Sequence, residues 1–273
     1  SEIEGVLLNP NSVRSSIARR LGIEDDGLLV EDHYVEGLVD VMLDAVRNCK
    51  EPLTDERLFG WHAALFPLGR SGMHRITADV PAQMERLISW CNNANLSPFI
   101  MAAVAHLWFV TVHPFDDGNG RISRTLADML LARLDVDSAR YYSMSAEINR
   151  NKKAYYEILE RTQKGDLDIT KWLLWFFDCL EKAITRASGV IERTLEKAAY
   201  WDRFHDVDIN ERQRKVINRM WDGFEGKLTS SKWAKMCSCS QDTALRDIND
   251  LISKGMLRNS GEGGRSANYL LPE

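Results

Sequence analysis

The sequence predicts a mainly α protein, with a helical bundle over residues 1–205 and a small winged helix-turn-helix domain over 206–273. Three observations predict this. Apolar residues recur at three- and four-residue spacing through most of the chain, the period that lines them along one helix face. No segment before about residue 205 alternates apolar and polar residues over the length of a strand. From about residue 206 the pattern becomes three short helical runs followed by two strand-like arms around a Gly-rich turn.

In chain order, VRSSIARRLGI places Val13, Ile17 and Leu21 at four-residue spacing and reads as an amphipathic helix. YVEGLVDVMLDAVRNC is a second, with Val35, Leu38, Val41, Met42 and Val46 on the predicted buried stripe. LTDERLFGWHAALF is a third, in which Thr54 has the character of an N-cap. PAQMERLISWCNNA, FIMAAVAHLWFVTV, TLADMLLARL and KKAYYEILERTQKG follow, and DITKWLLWFFDCLEKAITRASGVIERTLEKAAYW forms one or two long helices. His106, on an otherwise apolar helix, is expected to be a core residue.

Beyond residue 206, NERQRKVINRMWDGF is helical, and SSKWAKMC and QDTALRDINDLISKG flank the turn SCS as a helix-turn-helix. MLRNSGEGGRSANYLL supplies two strand-like arms. In a winged helix the third helix often enters the major groove of DNA. Arg246, Lys254, Arg258 and Arg265 favour nucleic acid, whereas Asp242, Asp247 and Asp250 oppose it. DNA contact and protein docking both stay open for this domain.

Composition sets outer bounds. A hydrophobic fraction of 44% with 27% charged residues suits a soluble globular chain, and a net charge of -5 argues against nonspecific coating of nucleic acid. The five cysteines lack a zinc-like partner set, so they are expected to be reduced thiols of a cytoplasmic protein. WLLWFF is too short to span a bilayer, no basic-then-apolar leader is seen, and no membrane partner is expected. There is no GxxxxGK[ST], which excludes a P-loop nucleotidase.

The chemistry concentrates in HPFDDGNGRISR, His113 to Arg124, between two apolar helices. Gly118, Asn119 and Gly120 form a turn opening a helix, where exposed N–H groups and the helix dipole favour an anion. Glycine tolerates the tight backbone there, and Asn119 tolerates positive φ. Arg121 and Arg124, three apart, are expected on one face at the first turn, with an anion between them. Two arginines and a backbone nest exceed the needs of one carboxylate, so phosphates fit better. Asp116 or Asp117 is placed to carry Mg²⁺ beside them, Asp117 being preferred. His113 is the nearby group whose ordinary pKa suits a general base near neutrality.

These residues resemble the signature of the Fic family, His-x-Phe-x-Asp/Glu-Gly-Asn-Gly-Arg-x-x-Arg, at every fixed position. The similarity extends through LFGWHAALFPLGRSGM and YYSMSAEINRNKKAYYEILERTQKGDLDITKWLLWF, over most of residues 1–200, and a C-terminal winged helix is a familiar companion. The resemblance implies transfer of AMP from ATP, with Mg²⁺, to a Ser, Thr or Tyr hydroxyl of a target protein or of the chain itself. His113 would be the base and Asp117 the Mg²⁺ ligand. Gly118, Asn119, Gly120, Arg121 and Arg124 would hold the phosphates, and Tyr156 and Gln163 would line the nucleoside pocket. Ile3 to Gly5 resembles the end of an inhibitory helix motif, which makes Glu4 the restraining glutamate and Arg124 its partner. Relatives carry a longer segment where this chain runs from Thr77 almost directly to Pro81, so a target-docking flap is expected to be absent or missing from the sequence. Removal of AMP, transfer of another phosphate-containing group, and nucleotide sensing by a winged-helix regulator stand as alternatives. DNA through residues 206–273 and a homodimer are left open as partners.

Overall fold

The structure, a computed structural model, describes residues 3, 9, 12–13, 15–17, 33–67, 79–134, 141–224, 226–261 and 268–272. The chain divides into two compact units, Ser1–Ala187 and Ser188–Glu273. Among the described residues, no strand or bridge precedes Leu228.

The first unit is built from α1 (His33–Arg47), α2 (Asp55–Leu65), α3 (Asp79–Asn93), α4 (Pro98–Val112), α5 (Asn119–Ala132), α6 (Met144–Arg150) and α7 (Lys152–Gln163). The long α8 (Thr170–Arg203) follows as one continuous helix, and the division between the units falls within it. α4 carries only His106 and Thr111 as polar residues after its N-terminal Pro98, so it is apolar on every side and packs as a central rod. α5 is buried along nearly its whole length beside it, with Ile122, Leu126 and Leu130 fully enclosed. Phe109, Trp172 and Phe176 complete this core, and the Trp172 indole donates to the Ala103 carbonyl at 2.8 Å.

Several local devices fix the surrounding helices. Thr54 caps α2, its hydroxyl accepting from the Arg57 N–H at 3.1 Å. Arg57 then reaches back to the end of α1, donating to Asp44 and to the carbonyls of Asp44, Asn48 and Glu51. Burial raises the Asp44 carboxyl, but hydrogen bonds from Asn48, Arg57 and Trp61 outweigh it and hold the pKa below the usual range. Gly37 lies so close to α2 that a Cβ there would overlap the Ala64 carbonyl. Arg133 donates to the carbonyls of Cys49 and Cys91, tying the end of α5 to chain following α1 and to α3.

The buried stripe of α1 departs from the periodicity expected of it. Val35, Val39, Val41 and Ala45 are buried, while Met42 and Val46 are 51% and 37% exposed. The Gly37 contact rotates the helix so that its small-residue side meets α2. In the described part of the N-terminal run, Ser15 and Ser16 are buried and Ile17 is exposed, again shifting the expected face.

The second unit contains α9 (Glu211–Trp221), α10 (Ser230–Cys237), α11 (Gln241–Ser253), β1 (Arg258–Asn259) and β2 (Tyr269–Leu270). The strands pair antiparallel with Arg258 opposite Leu270, and Tyr269 also bridges Leu228. Asn210 and Gln213 form a reciprocal capping box at α9, and Thr229 and Ser240 cap α10 and α11. Ser238 takes a left-handed turn, φ 52°, between α10 and α11. Val216, Trp233, Ile248, Leu251 and Met256 form the core, joined by Tyr200 and Phe204 from the end of α8. Asp247, expected among the charges of an outer face, is buried instead: it pairs with Arg212 at 2.8 Å and accepts from Asn210 at 2.9 Å. No described helix is long and apolar enough to cross a membrane.

Candidate active site

The candidate site forms where α4 ends and α5 begins. His113 caps α4 in the left-handed conformation, φ 54° and ψ 56°, while its N–H still bonds the Phe109 carbonyl. That backbone is uncommon outside glycine and asparagine, and here it turns the chain sharply out of the helix. The His113 Nδ1 lies 3.3 Å from the Val110 carbonyl oxygen. A carbonyl only accepts, so this contact favours the tautomer with the proton on Nδ1 and a free lone pair on Nε2.

Phe115 anchors the loop. It is buried with His62 stacked on it at 4.2 Å and Phe59 edge-on at 6.0 Å. Asn119 grips the same residue: its Oδ1 accepts from the Phe115 N–H at 3.0 Å and its Nδ2 donates to the Phe115 carbonyl. His62 Nε2 is 3.2 Å from the Asp117 carbonyl, and burial lowers the His62 pKa, with Arg121 adding to the effect. A neutral His62 donating from Nε2 therefore pins the loop from α2.

Gly118 is the N-cap of α5, at φ 87°, and a Cβ there would come within 2.8 Å of the Phe66 ring. The left-handed residue of the turn is thus Gly118; Asn119, expected to supply positive φ, is instead the first residue of α5. No side chain caps this helix. Its first intrahelical bond runs from the Ile122 N–H to the Gly118 carbonyl, so the N–H groups of Asn119, Gly120 and Arg121 have no intrahelical acceptor. They form a helix N-terminus open to an anion.

A cleft opens over this terminus. It is lined by His113, Asp116, Asp117 and the turn Gly118 to Gly120, together with Arg124, Tyr155, Tyr156 and Leu159. Asp117 accepts from the Gly118 N–H at 2.6 Å and its side chain is 70% exposed. Among the described residues no three His, Cys, Asp or Glu side chains converge as a complete metal set. Asp116 and Asp117 are both exposed and line the cleft, and a carboxylate beside an anion site suits Mg²⁺ shared with phosphates, because that ion keeps most of its shell as water and phosphate oxygen.

The two arginines separate. Both are buried, but Arg124 lines the cleft and Arg121, expected on the same face, does not. Its Nη1 donates to the Tyr34 hydroxyl at 2.6 Å, its guanidinium lies 4.6 Å from the Phe66 ring centre, and its Nη2 is 3.6 Å from Asp117. Its aromatic partners are Tyr34 on α1 and Phe66 at the C-cap of α2.

Tyr155 and Tyr156 also divide. Tyr155 is buried and its hydroxyl meets His106 Nε2 at 3.0 Å, while Tyr156 is 46% exposed. Burial pushes the His106 pKa down to about 3, with the Arg124 charge acting the same way, so this ring is a neutral core group. Gln163 sits one turn beyond Leu159 and donates to the Thr111 hydroxyl at 3.1 Å. Glu4 and Thr77 lie outside the described residues, as does Arg265. Sequence reasoning passed over His62, Tyr34, Tyr155 and Thr111; the one local signal was a histidine in the apolar face of LFGWHAALF.

Residues 52–131 match the family model described as the Fic/DOC family. Over 109 residues the chain is 34% identical to a protein named protein adenylyltransferase Fic from Drosophila willistoni, and 36% identical to its counterpart from Drosophila yakuba. Those alignments cover 39% of this chain and 20% of each relative, so the chain aligns with about a fifth of their length. A Fic family protein from Desulfovibrio desulfuricans G20 superposes with a TM-score of 0.54 at 18% identity, covering 99% of this chain and 83% of that one. Fic-1 from C. elegans superposes with a TM-score of 0.50 at 22% identity, over 71% of this chain and 61% of that one. At those identities the likeness is one of fold, a mainly α architecture. The whole segment from His113 to Arg124 lies inside the region that matches the Fic/DOC family model.

Proposed function

We propose that this chain transfers AMP from ATP to a hydroxyl of a protein. The observation that carries this reading is that His113, held through Nδ1 by Val110, and the uncapped first turn of α5 line one cleft. The name protein adenylyltransferase, borne by relatives of the matched region, supports it.

In this reading His113 Nε2 removes the hydroxyl proton of a Ser, Thr or Tyr. The oxygen forms its bond to the α-phosphorus as the bond to the bridging oxygen breaks, and pyrophosphate leaves with that electron pair. The N–H groups of Asn119 and Gly120 face charge building on the phosphates, and Arg124 takes the outer ones. Asp117 would hold Mg²⁺, which supplies charge neutralisation when bound. Tyr156 offers its exposed ring to the nucleoside, with Gln163 at the rim. Arg121 supports the loop. Glu4 restrains the site by pairing with Arg124.

The experiment is mass spectrometry of the protein incubated with ATP and Mg²⁺, alone and with candidate targets. An added AMP that disappears in His113→Ala is expected, and Glu4→Gly is expected to raise transfer. Undiminished transfer by His113→Ala overturns the catalytic assignment.

For the second unit we read the three helices and the small ladder as a winged helix able to contact DNA. The supporting observation is that Asp247 and Asp250 are taken up by Arg212 and Lys254, so that Asp242 is the acidic residue left exposed on α11 beside Gln241, Arg246 and Asn249. A gel shift with duplex DNA, lost in Arg246→Ala, is the expected result. DNA binding that responds to ATP without any transfer would favour a nucleotide-sensing regulator.

A further inference from the structure

A second hollow adjoins the loop that follows His113. It is lined by Leu58 and Phe59 of α2, Val80 and Met84 of α3, and Pro114 and Phe115 of the loop. Leu58, Met84 and Phe115 are buried, while Phe59 is 42% exposed. Asp55, the first residue of α2, is the charged residue of the described lining. It is exposed and has no ion pair among the described residues. Phe115 does not fold away to fill the space, because Asn119 grips its backbone and the His62 ring stacks on it. The hollow is therefore preformed, which suits it to take an apolar group without a reordering cost. Its place in the chain says where that group comes from. Within one loop, His113, Asp116 and Asp117 line the cleft, whereas Pro114 and Phe115 line the hollow. Two Cα steps separate His113 from Phe115, so their Cα atoms lie within about 8 Å of each other. A protein that presents a hydroxyl to His113 thus brings its neighbouring residues within reach of the hollow. Extended chain rises about 3.3 Å per residue, which puts the residue in reach about two or three positions from the hydroxyl.

We propose that this hollow anchors the acceptor protein, taking an apolar side chain close to the modified hydroxyl, with a basic residue beside it facing Asp55. The lining sets that chemistry. Its aliphatic and aromatic side chains leave a polar group without a hydrogen-bond partner, whereas an apolar group gains by leaving water. The Asp55 carboxylate favours a Lys or Arg next to the anchor and repels an acidic neighbour. Because that pair is exposed, it contributes selection more than affinity. This inference rests on the nucleotide-transfer reading above and narrows the class of acceptor that reading requires.

The test uses short synthetic peptides with one central Thr or Tyr, carrying Leu or Asn two or three residues to either side and Lys or Glu beyond it. Transfer of labelled AMP by the full chain gives kcat/KM for each peptide, and fluorescence anisotropy reads peptide binding independently of transfer. Leu peptides are expected to exceed their Asn counterparts by about ten-fold or more, the weight of burying one such side chain. Val80→Asp sets a carboxylate in the hollow at the second residue of α3, where the helix dipole tolerates it. This variant is expected to abolish the Leu advantage while ATP binding and transfer to the Asn peptides stay unchanged. Asp55→Lys is expected to reverse the Lys-over-Glu preference, by about two- to five-fold. Equal use of Leu and Asn peptides at every spacing overturns the anchor while adenylyl transfer stands, as does a Leu advantage that survives Val80→Asp. Leu-dependent binding without transfer to any peptide, lost in Val80→Asp, supports the anchor and overturns the transfer reading. Absence of binding by every peptide overturns the anchor. Self-association of the protein alone, lost in Val80→Asp, would assign the hollow to a second copy of this chain and overturn the proposal.

Discussion

Asn119 holds Phe115 by both of its backbone polar groups, accepting from the N–H at 3.0 Å and donating to the carbonyl. One amide thus closes the loop between His113 and the start of α5, and it does so buried, at 2% exposure. Asn119→Ala leaves a buried N–H and a buried carbonyl unpaired, a loss of about 1–3 kcal/mol for each group left without a partner. Asn119→Asp keeps the acceptor but sets a carboxylate against the Phe115 carbonyl, so it is expected to destabilise as well. Denaturant unfolding of both variants, read beside nucleotide binding, checks this. Wild-type stability in either one would show that the loop is held elsewhere.

The approach of α1 to α2 at Gly37 gives a paired experiment. A Cβ at Gly37 would run into the backbone of Ala64, which cannot swing away as a side chain can. Gly60, also in a helix, has nothing within 4 Å of its would-be Cβ. Gly37→Ala is expected to destabilise by about 2 kcal/mol or more, by overpacking. Gly60→Ala is expected to stabilise by about 0.5–1 kcal/mol through helix propensity alone. Thermal unfolding of the two variants in parallel should show shifts of opposite sign.

Local patterns were legible and distant partners were not. The Thr54 cap could be read because a cap and its recipient N–H lie three residues apart. The side of α1 that is buried could not, because a backbone contact at Gly37 decided it. The spacing of Arg121 and Arg124 put them within about 60° on a helix, but a long side chain can leave that face for a better partner. Tyr34 is 87 residues from Arg121 in the chain, and no local pattern announces it. His62 is likewise 55 residues from the Asp117 carbonyl that gives it a role. The chemistry of HPFDDGNGRISR is concentrated in sequence, while its supports arrive from other helices.

Tyr34 tests that support. Tyr34→Phe keeps the ring beside Arg121, 5.9 Å from the guanidinium, and removes the hydroxyl that accepts from Nη1. The guanidinium is buried, and its Nε already has no partner among the described residues. Losing a further acceptor is expected to cost about 1–3 kcal/mol. The denaturation midpoint should fall with an unchanged denaturant slope, since the surface exposed on unfolding is the same. An unchanged midpoint would mean that Arg121 finds its stability in the Phe66 and Asp117 contacts alone.

His106 predicts how the fold responds to acid. Its pKa falls from 6.5 to about 3 on burial, so the folded chain resists a proton that the unfolded chain accepts. Above pH 6.5 both states are neutral at this ring and it adds no pH dependence. As pH drops below 6.5 only the unfolded state gains the proton, and stability declines by roughly 1.4 kcal/mol per pH unit. The decline from this residue ends near pH 3, where the folded ring also protonates. His62, whose pKa burial also lowers, adds a slope of the same sign. His106→Gln cannot titrate, and its amide can still meet the Tyr155 hydroxyl. The variant should therefore show a shallower loss of stability between pH 6.5 and 5, above the range where most carboxylates begin to protonate. Denaturant unfolding at half-unit intervals across that window measures the difference in slope. Identical slopes in the two proteins would mean that the folded state accommodates a charged His106.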